Sequence, residues 1–397
     1  MKIVAIISEY NPFHLGHLHQ INEIKKMFKN QDIIIISIMS GNFIQRGEPS
    51  IIDKFKRCEM ALYNGINLCL EIPIQVSLSS AEGFSYGVIQ ILNRLKIVDY
   101  ICFGCEIVNT DKLHKISSTL LSLNKDDLKK YLNLGLSFPK SLELFIDEKL
   151  NSDELTNFMK SPNNILAIEY LKALKLSNSS IDILPIQRLG AGYNEESLNS
   201  FFSSATSIRK VLLDSKEDIS TIKSHVPNKS YEILKTEFLN KSIVNKEQVF
   251  KYVQYKLLTS KNIHKINHVN EGLENKFYKE ILNSNSLNEL ILNVKSKRYT
   301  YARISRILLR YFIGFENFNK EYINTLNNYV RILGFDEKGL YLLNKIKKIT
   351  DLHLISNFNK KNSHLAPLDI LSTQAYSLLN PSVSPNDDFK KHPIIKL

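Results

Sequence analysis

The sequence has few cysteines and lacks any apolar run long enough to cross a membrane. Only four cysteines occur in 397 residues. This excludes the class of small secreted domains held together by disulfides and fits a reducing compartment. No apolar stretch approaches the roughly 20 residues of a membrane-spanning helix. The N-terminal run Ile3 to Ile7 is too short for a secretory signal, so we expect a cytoplasmic protein without a membrane anchor.

Acidic residues are also scarce, and the resulting positive charge is concentrated in one segment. Lys and Arg number 52 against 40 Asp and Glu, which gives a net charge of +12. Residues 241–310 hold 14 Lys and Arg against five Asp and Glu, and so carry +9 of that total. Positive charge interleaved with tyrosines suits a folded RNA, whose phosphates bind cations and whose unpaired bases stack on rings. The alternative is an ordinary solvated helix face in a Lys-rich chain.

The candidate RNA-binding residues lie in one predicted helix and the turn before it. Helical spacing places three arginines on one side, while Ile304, Ile307 and Leu308 face inward. The residues are Lys297, Arg298, Arg303, Arg306 and Arg310.

Five short apolar runs separated by helix-length spacers predict a parallel sheet with helices on both faces. The runs cover residues 2–7, 33–38, 67–72, 99–103 and 182–186. After about residue 214 helical periodicity replaces them and continues to about residue 375. We therefore predict an α/β fold with a doubly wound parallel sheet and a C-terminal helical domain. The predicted domains are 1–215, with a helical insertion at 109–160, and a basic, mainly helical 216–397 with an irregular tail.

The most informative motif follows the first predicted strand. Residues 9–17 read Glu-Tyr-Asn-Pro-Phe-His-Leu-Gly-His and end in the first turn of a predicted helix. Two imidazoles there can hydrogen-bond phosphate oxygens, and Gly16 leaves space for a phosphate. The alternative, two surface histidines in an ordinary turn, does not explain why a second phosphate-binding element is also present. The motif therefore predicts nucleotidyl transfer, in which charge on the α-phosphorus is stabilised.

The second element is Ser204-Ala205-Thr206-Ser207-Ile208-Arg209. Its hydroxyl groups suit helix capping or phosphate contacts, and Arg209 falls in the first turn of the following helix. A guanidinium there can hold the β- and γ-phosphates.

Further candidates lie where other predicted strands end, because ligands bind parallel sheets at that edge. Gly104 and Arg188 each follow a strand, and either Asn163 or Asn164 caps a helix or bonds the nucleotide. Residues 40–49, with two glycines and one Arg, could shape a small substrate pocket. Lys54 behind that loop either adds charge near the phosphates or is a solvated helix start. Cys102 and Cys105 form a CxxC that either has a metal or redox role or marks a strand end.

Several separated blocks resemble the bacterial tRNA(Met) cytidine acetate ligase family, within the nucleotidylyltransferase superfamily. Besides residues 9–17 and 204–209, they are Met-Ser-Gly-Asn-Phe-Ile-Gln-Arg-Gly-Glu-Pro at 39–49, Pro-Asn-Asn-Ile-Leu at 162–166, Glu-Gly-Leu-Glu-Asn at 271–275 and Lys-Arg-Tyr-Thr at 297–300. Two positions depart from the usual wording: Cys105 stands where Ser is commoner, and Leu189 where Ile is common. The cysteine would make the site sensitive to thiol reagents.

The resemblance implies that acetate attacks the α-phosphorus of ATP, giving acetyl-adenylate and pyrophosphate, and that acetyl then passes to the wobble cytidine of elongator tRNA(Met). His14, His17 and Arg209 would be catalytic, with Mg²⁺ carried by the phosphates and no metal held by the protein alone. The expected ATP-binding residues are Ile7, Ser8, Glu9, Tyr10, Asn11, Pro12, Phe13, His14, Leu15, Gly16, His17, Leu18, His19, Gln20, Gly104, Asn163, Asn164, Arg188, Leu189, Ser204, Thr206, Ser207 and Arg209.

Two other functions remain open at this point. A metabolite adenylyltransferase would use the same sheet but has no need for the basic segment. A non-catalytic RNA-binding protein with a vestigial nucleotide site would not need both phosphate motifs intact.

Overall fold

The computed structural model describes residues 1–136, 138–150, 158, 161–189, 203–214, 218–324 and 328–396. The boundary predicted at residue 215 lies outside them and stays a prediction. The end of the predicted insertion also stays a prediction, because residues 151–157 and 159–160 lie outside the described ranges.

An eight-stranded mixed sheet lies at the centre of the described chain, with strand order β10-β8-β5-β2-β1-β6-β7 and β9 beside β8. Its strands are β1 (Lys2–Ser8), β2 (Ile33–Ser40), β5 (Leu68–Ile72), β6 (Tyr100–Cys105), β7 (Asp182–Gln187), β8 (Tyr329–Phe335), β9 (His353–Ile355) and β10 (Ile394–Ile395). A separate antiparallel pair is formed by β3 (Phe43–Ile44) and β4 (Glu48–Pro49). The five predicted strands, β1, β2, β5, β6 and β7, are confirmed and run parallel.

The expectation of helical periodicity up to residue 375 is wrong over β8 and β9. β8 runs antiparallel to β5 and extends the sheet at that side, and β9 and β10 pair with β8. A short apolar run such as β8 cannot be told from a buried helix segment by periodicity alone. The C-terminal part of the chain therefore completes the N-terminal sheet as well as supplying helices.

The α-helices are Leu15–Met27, Lys54–Tyr63, Ile74–Ser77, Ala81–Leu95, Thr110–Leu121, Lys125–Leu132, Phe138–Leu150, Pro162–Leu176, Ala205–Leu213, Asn228–Leu239, Val249–Thr259, Leu273–Glu280, Leu287–Val294, Tyr301–Ile313, Lys320–Asn324, Glu337–Ile349, Pro367–Ser377 and Asp387–Lys390. Short 3-10 helices lie at Ile219–Ser224, Lys246–Gln248, Ile263–Lys265, Ile281–Asn283, Phe315–Asn317 and Ser363–Leu365. In the described part of the chain, no helix combines the length and the apolar character that crossing a membrane requires.

Alternation along β1 divides the core between the two faces of the sheet. Ile3 and Ala5 pack in a cluster with the helices Ala81–Leu95 and Pro162–Leu176. Val4 and Ile6 pack in another cluster, with Leu15–Met27 and Ala205–Leu213. Helices thus cover both faces, which confirms the doubly wound prediction.

A third hydrophobic cluster belongs to the helices of the second half of the chain. It unites Val249–Thr259, Leu287–Val294, Tyr301–Ile313 and part of Pro367–Ser377. Phe43, the first residue of β3 in the segment that follows β2, is fully buried in the same cluster. The helical part therefore packs directly on a loop at the carboxyl edge of the sheet.

A buried ion network fixes the C-terminal tail to the sheet, and it includes Lys54. The Lys54 ammonium lies 2.9 Å from Glu71 and 3.0 Å from Asp388, and Arg331 also contacts Asp388. Both cations hold the pKa of the Asp388 carboxyl below its usual range, against the opposing effect of burial. Lys54 does not line the cleft described below. The hypothesis that it adds charge near the phosphates is therefore wrong.

Asp388→Ala is expected to lower the free energy of unfolding by about 3–5 kcal/mol, because it leaves two buried cations without this partner. Denaturant unfolding measures the change. Asp351→Ala, which removes an exposed partner of Arg94, is the control and should cost at most about 1 kcal/mol. Equal losses in the two variants would contradict the role given to the network.

Candidate active site

A cleft of about 600 Å³ opens at the carboxyl ends of β1, β6 and β7. Most of the residues predicted to bind a nucleotide line it: Ile7, Ser8, Glu9, Tyr10, Asn11, His14, Gly16, His17, His19, Gln20, Gly104, Asn163, Arg188, Leu189, Ser204, Thr206 and Arg209. Residues separated by up to about 200 positions in the chain are thus brought to one place.

Six predicted residues do not line the cleft, namely Pro12, Phe13, Leu15, Leu18, Asn164 and Ser207. Phe13 is fully buried in the core, and Leu18 packs against the same cluster. The buried side-chain Oδ1 of Asn164 accepts the Glu106 N–H, while the Ser207 hydroxyl donates to the Ser204 backbone carbonyl. These side chains support the walls, and the prediction that they contact a ligand is not supported for this cleft.

The first helical turn fixes the proton positions of the two histidines. The Nδ1 of His14 accepts the N–H of Gly16 at 3.0 Å, and the Nδ1 of His17 accepts the N–H of His14 at 3.2 Å. A neutral imidazole that accepts at Nδ1 carries its proton at Nε2. Each ring therefore has an Nε2–H left to donate, and the two rings lie 3.8 Å apart in the cleft.

Both imidazoles are neutral at physiological pH. Burial lowers the pKa of His14 to about 3, with smaller contributions from Arg188 and Arg209. Burial, then His14 and Arg188, also hold the pKa of His17 well below its usual value. The histidines thus act as hydrogen-bond donors while the arginines supply the positive charge.

The depressed pKa of His14 predicts a specific loss of stability in acid. Unfolded His14 titrates near pH 6.5, whereas folded His14 stays neutral to about pH 3, so stability is full above pH 6.5 and falls as pH drops through that interval. His14→Asn keeps an acceptor for the helix N-terminus but cannot titrate. Between pH 7 and pH 5 the wild type should lose about 2 kcal/mol more than this variant in denaturant unfolding. If the free energies of unfolding of the wild type and of His14→Asn changed equally with pH, the neutral, buried state of His14 would be contradicted.

The element at residues 204–209 is tied directly to the histidine turn. The Ser204 hydroxyl accepts the Ser207 N–H at 3.1 Å and so caps the helix Ala205–Leu213. As the fifth residue of this helix, Arg209 begins its second turn, and its guanidinium donates to the Asn11 carbonyl at 2.9 Å and to the Thr206 hydroxyl at 3.1 Å. The two predicted phosphate elements therefore form one surface.

The opposite wall is built from β6, β7 and the helix Pro162–Leu176. Asn163 lines the cleft and donates to the Glu106 carboxylate. A side chain at Gly104 would place its Cβ 3.0 Å from Arg188, so glycine allows that arginine to lie across the strand. Burial lowers the pKa of Arg188. The rings of Phe103 and Tyr170, 5.5 Å apart, add an apolar surface suited to a base.

Cys105 lies beneath this wall and is fully buried. Burial raises the pKa of its thiol to about 12, with Glu106 adding to the effect. Since the thiolate is the reactive form, the burial and the raised pKa disfavour the expected sensitivity to thiol reagents, which stays a prediction. Among the described residues, no three or more His, Cys, Asp or Glu side chains are grouped as a metal site.

Sixteen further residues of the described chain line the cleft, and five of them belong to two segments that no sequence motif connected. Gln45 and Arg46 lie in the turn between β3 and β4, Glu48 begins β4, and Tyr301 and Ala302 begin the helix Tyr301–Ile313. The sequence indicated a small pocket in the loop but gave no signal that joined it to residues 250 positions later.

The predicted RNA-binding residues surround the same helix but are unequally exposed. Lys297 is exposed, Arg298 is paired with Glu271, and Arg303 lies over the Tyr299 ring at 4.6 Å. The Arg306 guanidinium donates to the Gln45 carbonyl at 3.3 Å. Arg310 is only 7% exposed, because the helix turns it towards Phe315, so its predicted place on an open face is not supported.

Comparison with known proteins agrees with this geometry. A family model described as HIGH Nucleotidyl Transferase matches residues 1–391. The tRNA(Met) cytidine acetate ligases of Clostridium novyi and Clostridium acetobutylicum are 45% and 44% identical to this chain. The alignments cover 99% of both chains in the first case and 100% in the second.

Solved structures give the same result. Apo Thermotoga maritima TmcAL superposes with a TM-score of 0.90 at 30% identity, covering 100% of this chain and 99% of that one. The same protein bound with alpha-thio ATP gives 0.87, with the same identity and coverage. From the whole-length match, the shared fold and the histidine-lined cleft, the chain belongs to the tRNA(Met) cytidine acetate ligase family of HIGH nucleotidyl transferases.

Proposed function

We propose that this chain activates acetate with ATP and transfers the acetyl group to the exocyclic amine of the wobble cytidine in elongator tRNA(Met). The observation that carries the proposal is the convergence of two neutral imidazole donors with Arg209 at one sheet edge. That edge is where a doubly wound sheet binds nucleotides. The names of the relatives supply the acid and the RNA.

In the first step an acetate oxygen attacks the α-phosphorus, a P–O bond forms, and the bond to pyrophosphate breaks. The Nε2–H groups of His14 and His17 would donate to phosphate oxygens, and Arg209 would hold the leaving pyrophosphate. No protein nucleophile is required, because positioning and charge stabilisation account for the chemistry.

Mg²⁺ belongs to this proposal as an ion carried by the phosphates. Glu9 lines the cleft with a carboxylate, which is the kind of oxygen ligand that Mg²⁺ accepts directly or through water. The ion would supply further charge neutralisation at the phosphates.

In the second step the cytidine amine attacks the acetyl carbon, the C–N bond of the amide forms, the C–O bond to AMP breaks, and the amine loses one proton to solvent. The cleft reaches Tyr301 and Ala302, at the start of the helix that carries Arg303 and Arg306. We call Lys297, Arg298, Arg303 and Arg306 the basic surface. A tRNA bound there could thus present an unpaired base to the adenylate without a large movement of the protein. The proposal includes a cytoplasmic location, because ATP and tRNA are available there.

Incubation with ATP, Mg²⁺, isotope-labelled acetate and bulk bacterial tRNA, followed by nucleoside mass spectrometry, tests the proposal. Label is expected in N4-acetylcytidine. A metabolite adenylyltransferase would give no labelled nucleoside and no salt-dependent tRNA binding. A non-catalytic RNA-binding protein would bind tRNA but form no adenylate from ATP and acetate.

A further inference from the structure

The loop at residues 41–49 brings into the cleft an arginine that the phosphate-binding motifs do not include. Arg46 and Glu48 line the cleft, and Arg46 lies within electrostatic reach of Glu9 and of two other arginines, Arg188 and Arg209. Three guanidinium groups thus converge on one cavity.

The positions of these arginines suggest different tasks. Arg188 directly follows β7 beside Gly104, on one side of β1. Arg209 is bound to the histidine turn itself. Arg46 follows β2, which is on the other side of β1 from β6 and β7. A second anion could therefore approach from the β2 side while the nucleotide occupies the region from β1 to β7.

Asn11 supplies an independent indication of a ligand at this boundary. It is 3% exposed and lines the cleft, and its Oδ1 accepts the N–H of Ile51, just beyond the loop, at 2.7 Å. Its Nδ2 has no hydrogen-bond partner among the described residues. A buried donor without a partner is costly unless a bound molecule satisfies it.

The helix Tyr301–Ile313 holds this loop in place. The Ser305 hydroxyl donates to the Gly47 carbonyl at 2.6 Å, and Arg306 donates to the Gln45 carbonyl at 3.3 Å. Gly47 has a φ of +84°, and a Cβ there would lie 2.6 Å from the Arg306 nitrogen. Arg46 thus lies between Gln45 and Gly47, and the backbone carbonyls of both accept hydrogen bonds from this helix.

The geometry points to Arg46 and the Nδ2 of Asn11 as the carboxylate subsite that receives acetate before it attacks the α-phosphorus. A guanidinium matches a carboxylate in shape and charge. One carboxylate oxygen is held by Arg46 and the other attacks, so that the bond to pyrophosphate breaks as the new P–O bond forms. This subsite rests on the proposed function.

Acetate-dependent exchange of labelled pyrophosphate into ATP tests the subsite. Arg46→Gln should raise the KM for acetate by about ten- to a hundredfold, the usual effect of losing a hydrogen bond to a charged group, while the KM for ATP changes less than about twofold. Guanidinium ion added to Arg46→Ala should restore part of the rate. Arg94→Gln, at a surface ion pair with Asp351, is the matched control and should leave both constants unchanged.

Thermal melting and tRNA affinity of Arg46→Gln show whether the variant is folded. A folded variant with a raised KM for ATP or pyrophosphate and an unchanged KM for acetate would overturn the subsite and leave the proposed function standing. Wild-type protein that exchanges pyrophosphate with no carboxylic acid would refute the proposed function and the subsite together.

Discussion

His17→Ala is expected to lower the rate of acetyl-adenylate formation by about a hundredfold or more, with tRNA affinity near that of the wild type. The His17 Nε2–H is a fixed donor in the cleft, because Nδ1 is occupied by the backbone N–H of His14. Removing one preorganised donor from a site of developing charge typically costs about 10²–10³ in rate. Single-turnover formation of labelled acetyl-adenylate measures the effect.

His17→Gln separates catalysis from helix capping. Glutamine at this third helical position can still accept the backbone N–H of His14 but offers no imidazole. It should be as slow as His17→Ala and as stable as the wild type. If His17→Ala and His17→Gln both retained the full rate, a side-chain donor at this position would have no part in the reaction.

Removing two cations outside the cleft, the exposed Lys297 and the half-buried Arg303, should have the opposite effect. Lys297→Ala combined with Arg303→Ala is expected to weaken tRNA binding by about tenfold or more at physiological salt, and to reduce the dependence of affinity on salt concentration. Acetyl-adenylate formation without tRNA should be unchanged, because neither residue lines the cleft. Filter binding over a salt series measures the first quantity and pyrophosphate exchange the second.

Arg306 is left out of that variant because it also holds the Gln45 carbonyl of the loop. Arg306→Ala should therefore affect both tRNA binding and the KM for acetate. Loss of adenylate formation in the folded Lys297→Ala, Arg303→Ala protein would contradict the division between cleft and basic surface.

The strands and the phosphate motifs could be predicted because their signals are local. A short Ile-rich run such as β1 forms a buried strand wherever it occurs, and the histidine turn follows it directly. The predicted bounds of β2 and β6 differ from the structure by at most two residues at either end.

The features that the sequence did not predict depend on contacts between residues distant in sequence. β8 joins β5 across more than 250 positions, and its antiparallel pairing is set by the packing of both strands rather than by its own composition. The charge of Lys54 suggested an exposed or phosphate-binding role, but Asp388 and Glu71 hold it in the core. Arg310 has the helical spacing of its exposed neighbours, yet it is buried beside Phe315.

The central claim is that an acetate oxygen displaces pyrophosphate from the α-phosphorus of ATP in the histidine-lined cleft. Acetate labelled with ¹⁸O in both carboxylate oxygens, used in a full reaction with tRNA, tests this by mass spectrometry of the nucleotide products. The account predicts one ¹⁸O in AMP and none in pyrophosphate. Unlabelled AMP alongside labelled pyrophosphate or orthophosphate would show attack at another phosphorus and contradict the account.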